Sequence, residues 1–117
     1  MPRKGIKVVK SSSYRYWSAL PFGLKTQYYI GKWTVRTKKH GPFAVFKNIK
    51  HARKFIRQTL FYPVKIFECE YTKSLRKKLF HIHVIDDVPY IRSLHYLRLP
   101  KGTVCANKVR LIKEIID

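Results

Sequence analysis

The chain has 117 residues, 45% hydrophobic and 15% aromatic, enough for the core of one domain and too apolar for a disordered basic tail. Its 26 Lys and Arg stand against 6 Asp and Glu, a formal charge of +20, and residues 1–67 hold sixteen of the cations and no acid. Internal ion pairs cannot neutralise that half, so an outside partner must: nucleic acid, an anionic membrane surface, or an acidic protein neighbour.

In chain order, residues 1–5 read as a short basic arm carrying Arg3 and Lys4, and Gly5-Ile-Lys-Val-Val9 as a first strand. Ser11-Ser-Ser13 reads as a loop and Leu20-Pro-Phe-Gly23 as a turn. Tyr28-Tyr-Ile-Gly-Lys-Trp-Thr-Val35 has the aromatic and β-branched composition of a strand, with Gly31 marking a bulge or a close backbone approach. The basic loop Arg36-Thr-Lys-Lys-His-Gly-Pro42 leads into Phe43-Ala-Val-Phe46, a short buried strand.

Asn48 is a good N-cap, and Ile49, Ala52, Phe55, Ile56 and Leu60 recur at helical spacing, which predicts an amphipathic helix over about residues 48–60. Lys50, Arg53, Lys54 and Arg57 fall on its opposite side. Pro63 stops it, and Val64 to Tyr71 alternates as a half-buried strand. Lys73 to Lys78 reads as a cationic turn, Phe80 to Ile85 as a strand, and Tyr90 to Leu97 as a short helical turn. Leu99-Pro-Lys-Gly-Thr103 carries a turn signature, Val104 to Ala106 can pair behind it, and residues 107–116 read as a closing strand. These elements predict a single α+β domain: a mostly antiparallel sheet with one main helix packed on it.

Four strings, Tyr28-x-Ile-Gly-Lys-Trp33, Phe46-x-Asn-Ile-x-x-Ala-x-x-Phe55, Ile66-x-x-Cys-Glu70 and Leu99-Pro-x-Gly-Thr-Val-x-Ala106, resemble a small domain of large double-stranded DNA viruses and some phages. The likeness spans roughly residues 6–113 and its motifs are structural, so no active site comes with it. It implies a viral setting, in which small basic proteins lie between an outer shell and an anionic interior.

The candidate anion contacts are Lys50, Arg53, Lys54 and Arg57 on the helix, with Arg36, Lys38, Lys39, Arg76, Lys77 and Lys78 in the loops. A charged run is usually a solvated face, but here the missing counter-charges favour contact. Tyr14, Tyr16, Trp17, Tyr28, Tyr29 and Trp33 lie among cations and can stack on bases, although core packing is the ordinary role of strand aromatics. His81 and His83 share a strand face, and Cys69, Asp86 or Asp87 can complete a metal site only in principle, because no second Cys/His pair follows. No metal and no cofactor is expected.

Two cysteines, Cys69 and Cys105, make no disulfide framework and fit a reducing compartment. No secretory leader or membrane span is visible. The expected function is that of a non-enzymatic, highly basic structural protein, a minor capsid or internal component of a virion. Its partners would be other assembly proteins, with nucleic acid or an anionic membrane also open and no small-molecule substrate. A free nucleic-acid-binding module of ribosomal-protein or DNA-packaging type is the alternative. A small nuclease using His81 and His83 is the third reading.

Overall fold

The computed structural model describes residues 2–12, 15–18, 26–36, 42–59, 63–75, 78–85, 88–95 and 101–116. Side chains are described for these except Ser12, Ser18, Gln58, Thr59 and those of residues 78–95. Among the described residues nine strands and one helix follow in order: β1 Arg3–Ser12, β2 Arg15–Ser18, β3 Gln27–Tyr28, β4 Trp33–Val35, β5 Phe43–Phe46, α1 Ile49–Thr59, β6 Val64–Lys73, β7 Lys78–Ile85, β8 Val88–His95 and β9 Thr103–Glu114.

The architecture corrects the α+β expectation. Among the described residues the chain is mostly β, and its centre is a closed four-stranded antiparallel barrel rather than a sheet with a dominant helix. Closure follows from the pairings: β1 with β6, β6 with β9, β9 with β5, and β5 back to β1 at Ile6 and Phe46. The physical reason is length. β1, β6 and β9 run 10, 10 and 12 residues, long enough for the right-handed twist to bring the sheet round onto itself. The short helix covers one patch of the outside.

Several local expectations change as well. Arg3 and Lys4 are not a free arm but pair with Tyr71 and Glu70, and Ser11 and Ser12 continue β1. The Tyr28 to Val35 stretch is two strands broken at Gly31, whose φ of 78° is a turn conformation that glycine adopts without strain. Tyr90 to His95 is not helical: it belongs to β8, which pairs with β7 from Lys78↔His95 to Ile85↔Val88. The turn expected at Gly102 is present, with φ 84°, and a Cβ there would run into the His51 ring.

Alternation sorts the side chains into two clusters. Inside the barrel lie Val9, Phe43, Val45, Phe67, Cys69, Tyr71, Ala106, Val109 and Leu111, with Tyr28 of β3 packed among them. Outside, Val8 and Phe46 meet Ala52 and Phe55 of α1, with Ile6, Ile56 and Val64 at the margin. Burying Phe55 in that cluster stabilises by about 1.5–3 kcal/mol. Two register shifts against β6 leave Asn107 and Ile112 as extra residues in β9, so its inward set passes from Ala106 to Val109 and Leu111.

Candidate anion-binding surface

The helix begins where Asn48 turns its side chain back: Oδ1 accepts the His51 N–H at 3.0 Å and satisfies one of the orphan donors of the first turn. From there Lys50, Arg53, Lys54 and Arg57 form one stripe, since steps of 3 and 4 residues stack on a helix face. Lys50, Lys54 and Arg57 are exposed and Arg53 is half-buried. At 1.5 Å per residue the stripe rises about 10 Å. It sits opposite Ala52, Phe55 and Ile56, which face the barrel.

Local energetics oppose this arrangement. The pairs 50/54 and 53/57, and the pairs 50/53 and 54/57, are like-charged neighbours, each costing roughly 0.2–0.5 kcal/mol. The first turn also has no acidic residue to meet the helix dipole, and carries Lys50 instead. A sequence optimised for helix stability alone would not place four cations here.

A second cationic surface lies across the barrel exterior. Arg110 of β9 is held by an ion pair with Glu70 of β6, and its guanidinium lies 4.8 Å from the Trp33 ring centroid. Lys108 places its ammonium 4.6 Å from the same ring. The contacts follow from register, because Trp33 pairs with Arg110, Arg110 with Glu70, and Glu70 with Lys4. One row of outward side chains therefore crosses four strands.

Beside that row is a depression of about 520 Å³ lined by Lys4, Ile6, Lys47, Glu68, Glu70 and Ile112. The bulge at Ile112 turns this side chain outward, where it is 42% exposed. Lys47, at the far rim, is fixed by its backbone N–H, which donates to Gly102 O at 2.9 Å. Glu70 is matched by Arg110 and Glu114 by Lys65, whereas Glu68 has no ion-pair partner among the described residues.

Of the loop residues expected to bind anions, Arg36 is anchored to the Asn107 bulge: its Nε donates to Asn107 Oδ1 and its backbone N–H to Asn107 O, both at 3.1 Å. Lys38, Lys39, Arg76 and Lys77 lie outside the described residues, and Lys78 is placed only by its backbone at the start of β7. His81 and His83 stand opposite Arg92 and Tyr90 in the β7–β8 hairpin, while Asp86 and Asp87 lie outside the described residues. Cys69 points into the barrel, and no group of three metal-capable side chains occurs among the described residues.

The aromatics divide. Tyr28 is buried against Phe43 and Tyr16 packs edge-on to Phe67, which is core duty; Tyr29 is 50% exposed, with Lys32 at 5.9 Å from its ring. Tyr14 lies outside the described residues, and Trp17 is half-buried.

Sequence reasoning missed the barrel's interior amine. Lys7 is only 4% exposed, its Nζ donates to Ala44 O at 2.6 Å, and it lies 4.9 Å from the Tyr28 ring centroid. Burial lowers its pKa from 10.5 to about 8. Burial likewise pushes the neighbouring Cys69 thiol up to about 12, against a smaller opposing pull from Lys7. Lys4, Lys47 and Lys108 were missed too; the alternation Lys108-Val-Arg110-Leu was the available signal for the last.

Comparison with known proteins gives no match to any family model, curated protein or solved structure. The viral kinship expected from the four sequence strings thus stands as a proposal.

Proposed function

We propose that this chain is a non-enzymatic basic module that holds nucleic acid by its phosphates. The observation that carries the reading is the stripe Lys50, Lys54 and Arg57: exposed and self-repelling, with Lys50 set against the helix dipole, it gains from an anion what it lacks within the chain. Long cations spaced along about 10 Å of helix suit a polymer of regularly repeated charge better than a single small anion. Binding of this kind positions the partner without reading its sequence.

The test is a salt titration of affinity for a short duplex, comparing the parent with the combined variant Lys50→Gln, Lys54→Gln and Arg57→Gln. Affinity should fall steeply as salt rises, and the slope of log K against log salt should shrink by about 2.7 in the variant, at about 0.9 per phosphate contact. An unchanged slope would refute the assignment of the stripe.

A second reading, favoured by the absence of any acidic residue in 1–67, is that the module is a fixed part of an assembly such as the particle of a large DNA virus, held by acidic neighbours. Leu75 and Ile116, 96% and 81% exposed, are available for contact in such an assembly. Retention of the chain in nuclease-treated particles, lost on Leu75→Ser and Ile116→Ser substitution, would support that reading over the first.

A further inference from the structure

Three features of the barrel exterior converge beside the helix. Trp33 carries Lys108 and Arg110 against its ring; the depression beyond Arg110 has apolar Ile6 and Ile112 with Glu68 and Glu70; and Lys4 and Lys47 stand at its margin. The row Trp33, Arg110, Glu70, Lys4 crosses four strands, about 14 Å at the usual strand spacing. Its far end reaches Lys47, two residues ahead of the first turn of α1 and its cationic stripe.

We propose that this depression receives one unstacked base of a single-stranded nucleic acid, with Lys108 swinging from the Trp33 ring to a phosphate so that Trp33 stacks a neighbouring base, and the Glu68 carboxylate accepting from the first base's exocyclic amino group. The proposal rests on the nucleic-acid reading above and names the form of the ligand. Phosphates meet Lys4, Lys47 and Lys108, and the strand continues toward the helix stripe.

The carboxylates decide between partners. Lys4 and Lys47 at the margin can hold a phosphate, but one pushed into the depression would meet Glu68, which has no ion-pair partner among the described residues and repels it. A base presents amino hydrogens and no net charge, and a carboxylate accepts well from cytosine N4. Thymine offers an oxygen and a methyl group at the corresponding position and cannot donate there. A duplex does not serve, because its bases are stacked and a recess on a barrel surface reaches only a base that has swung out. The volume of about 520 Å³ is within the range of small-ligand sites, and the apolar Ile6 and Ile112 suit the faces of a heterocycle.

The experiment is fluorescence anisotropy at fixed salt with short oligo-dC, oligo-dT and a hairpin duplex. The proteins compared are the parent chain, Trp33→Leu, Trp33→Phe, Glu68→Gln and the helix-stripe variant, each first checked for fold by circular dichroism. Oligo-dC should bind the parent severalfold more tightly than oligo-dT. Trp33→Leu should weaken both single strands about tenfold and leave the duplex within about twofold, while Trp33→Phe keeps most of the affinity. Glu68→Gln should bring oligo-dC and oligo-dT level. Should Trp33→Leu fail to fold, the Glu68→Gln comparison carries the test alone.

Single-strand affinity indifferent to Trp33, or a dC preference that survives Glu68→Gln, overturns the inference. The phosphate-binding reading survives that result if the helix-stripe variant still loses affinity. Binding to phosphatidylserine vesicles that depends on Trp33, with no binding to either oligonucleotide, overturns both.

Discussion

Replacing Lys7 by Met should stabilise the protein near neutral pH and lose part of that advantage as the solution becomes alkaline. Lys7 is buried inside the barrel, and its pKa of about 8 lies below the ordinary 10.5, so the folded state disfavours the charged form. At 1.36 kcal/mol per unit, holding the amine charged below pH 8 costs folding about 3 kcal/mol. Met fills similar space without charge but gives up the hydrogen bond to Ala44 O, worth about 1 kcal/mol. The net gain at pH 7 is about 2 kcal/mol.

The sign with pH follows from proton counting. Between about pH 8 and 10.5 the unfolded chain holds a proton on Lys7 that the folded chain has released, so parent stability from this group rises with pH. The advantage of Lys7→Met should therefore shrink by roughly 1 kcal/mol between pH 7.5 and 9. Urea denaturation followed by tryptophan fluorescence measures it, taken as the difference between the two proteins at each pH. The difference matters because the raised pKa values of Cys69, Cys105 and Tyr71, all caused chiefly by burial, lower the stability of both proteins as pH climbs past the thiol range. A stability difference that stays constant from pH 7 to 9, or a Met variant that is less stable at pH 7, would refute the reasoning.

Asn48→Ala removes the acceptor for the His51 N–H and should cost about 1 kcal/mol, read as a drop of about 4 °C in Tm by circular dichroism. Cys69 and Cys105 are buried and their thiols are pushed up by that burial. A thiol reagent at pH 8 should label the native protein slowly and both cysteines quickly in urea; prompt labelling of the folded chain would contradict the barrel packing.

Much of the local structure could be read along the chain, but barrel closure could not. Val64 to Tyr71 alternates cleanly, and the Gly102 turn is marked by its own residues, because both signals are local. Closure depends on β1 finding β6 and on β5 meeting β1 at Ile6 and Phe46, pairings set by register between residues as far apart in the chain as Arg3 and Tyr71. β9 defeated the pattern for a more specific reason. The bulges at Asn107 and Ile112 change which residues face inward, so residues 107–116 keep no single period and read as strand and helix at once. Lys7 misled through its charge: in Gly5-Ile-Lys-Val-Val9 it sits on the inward parity with Gly5 and Val9, where a cation is least expected. The helix cations were legible because helical period needs no partner, whereas the Trp33 row exists only once β4, β9, β6 and β1 lie side by side.

The two cationic surfaces rest on supports of unequal strength. The Trp33 row starts on the edge strand β4 and runs onto β9, β6 and β1 of the closed barrel, where Arg110 is steadied by Glu70. The helix is held by one apolar face, one side-chain cap and a set of charges that repel each other. An anion along Lys50, Lys54 and Arg57 removes that repulsion, so by linkage whatever binds the stripe also stabilises the helix, and by the same amount a more stable helix binds it better. The barrel gains nothing comparable, since its closure does not depend on those charges. The helix, rather than the barrel, is therefore where the chain's excess of cations becomes an energetic demand for a partner.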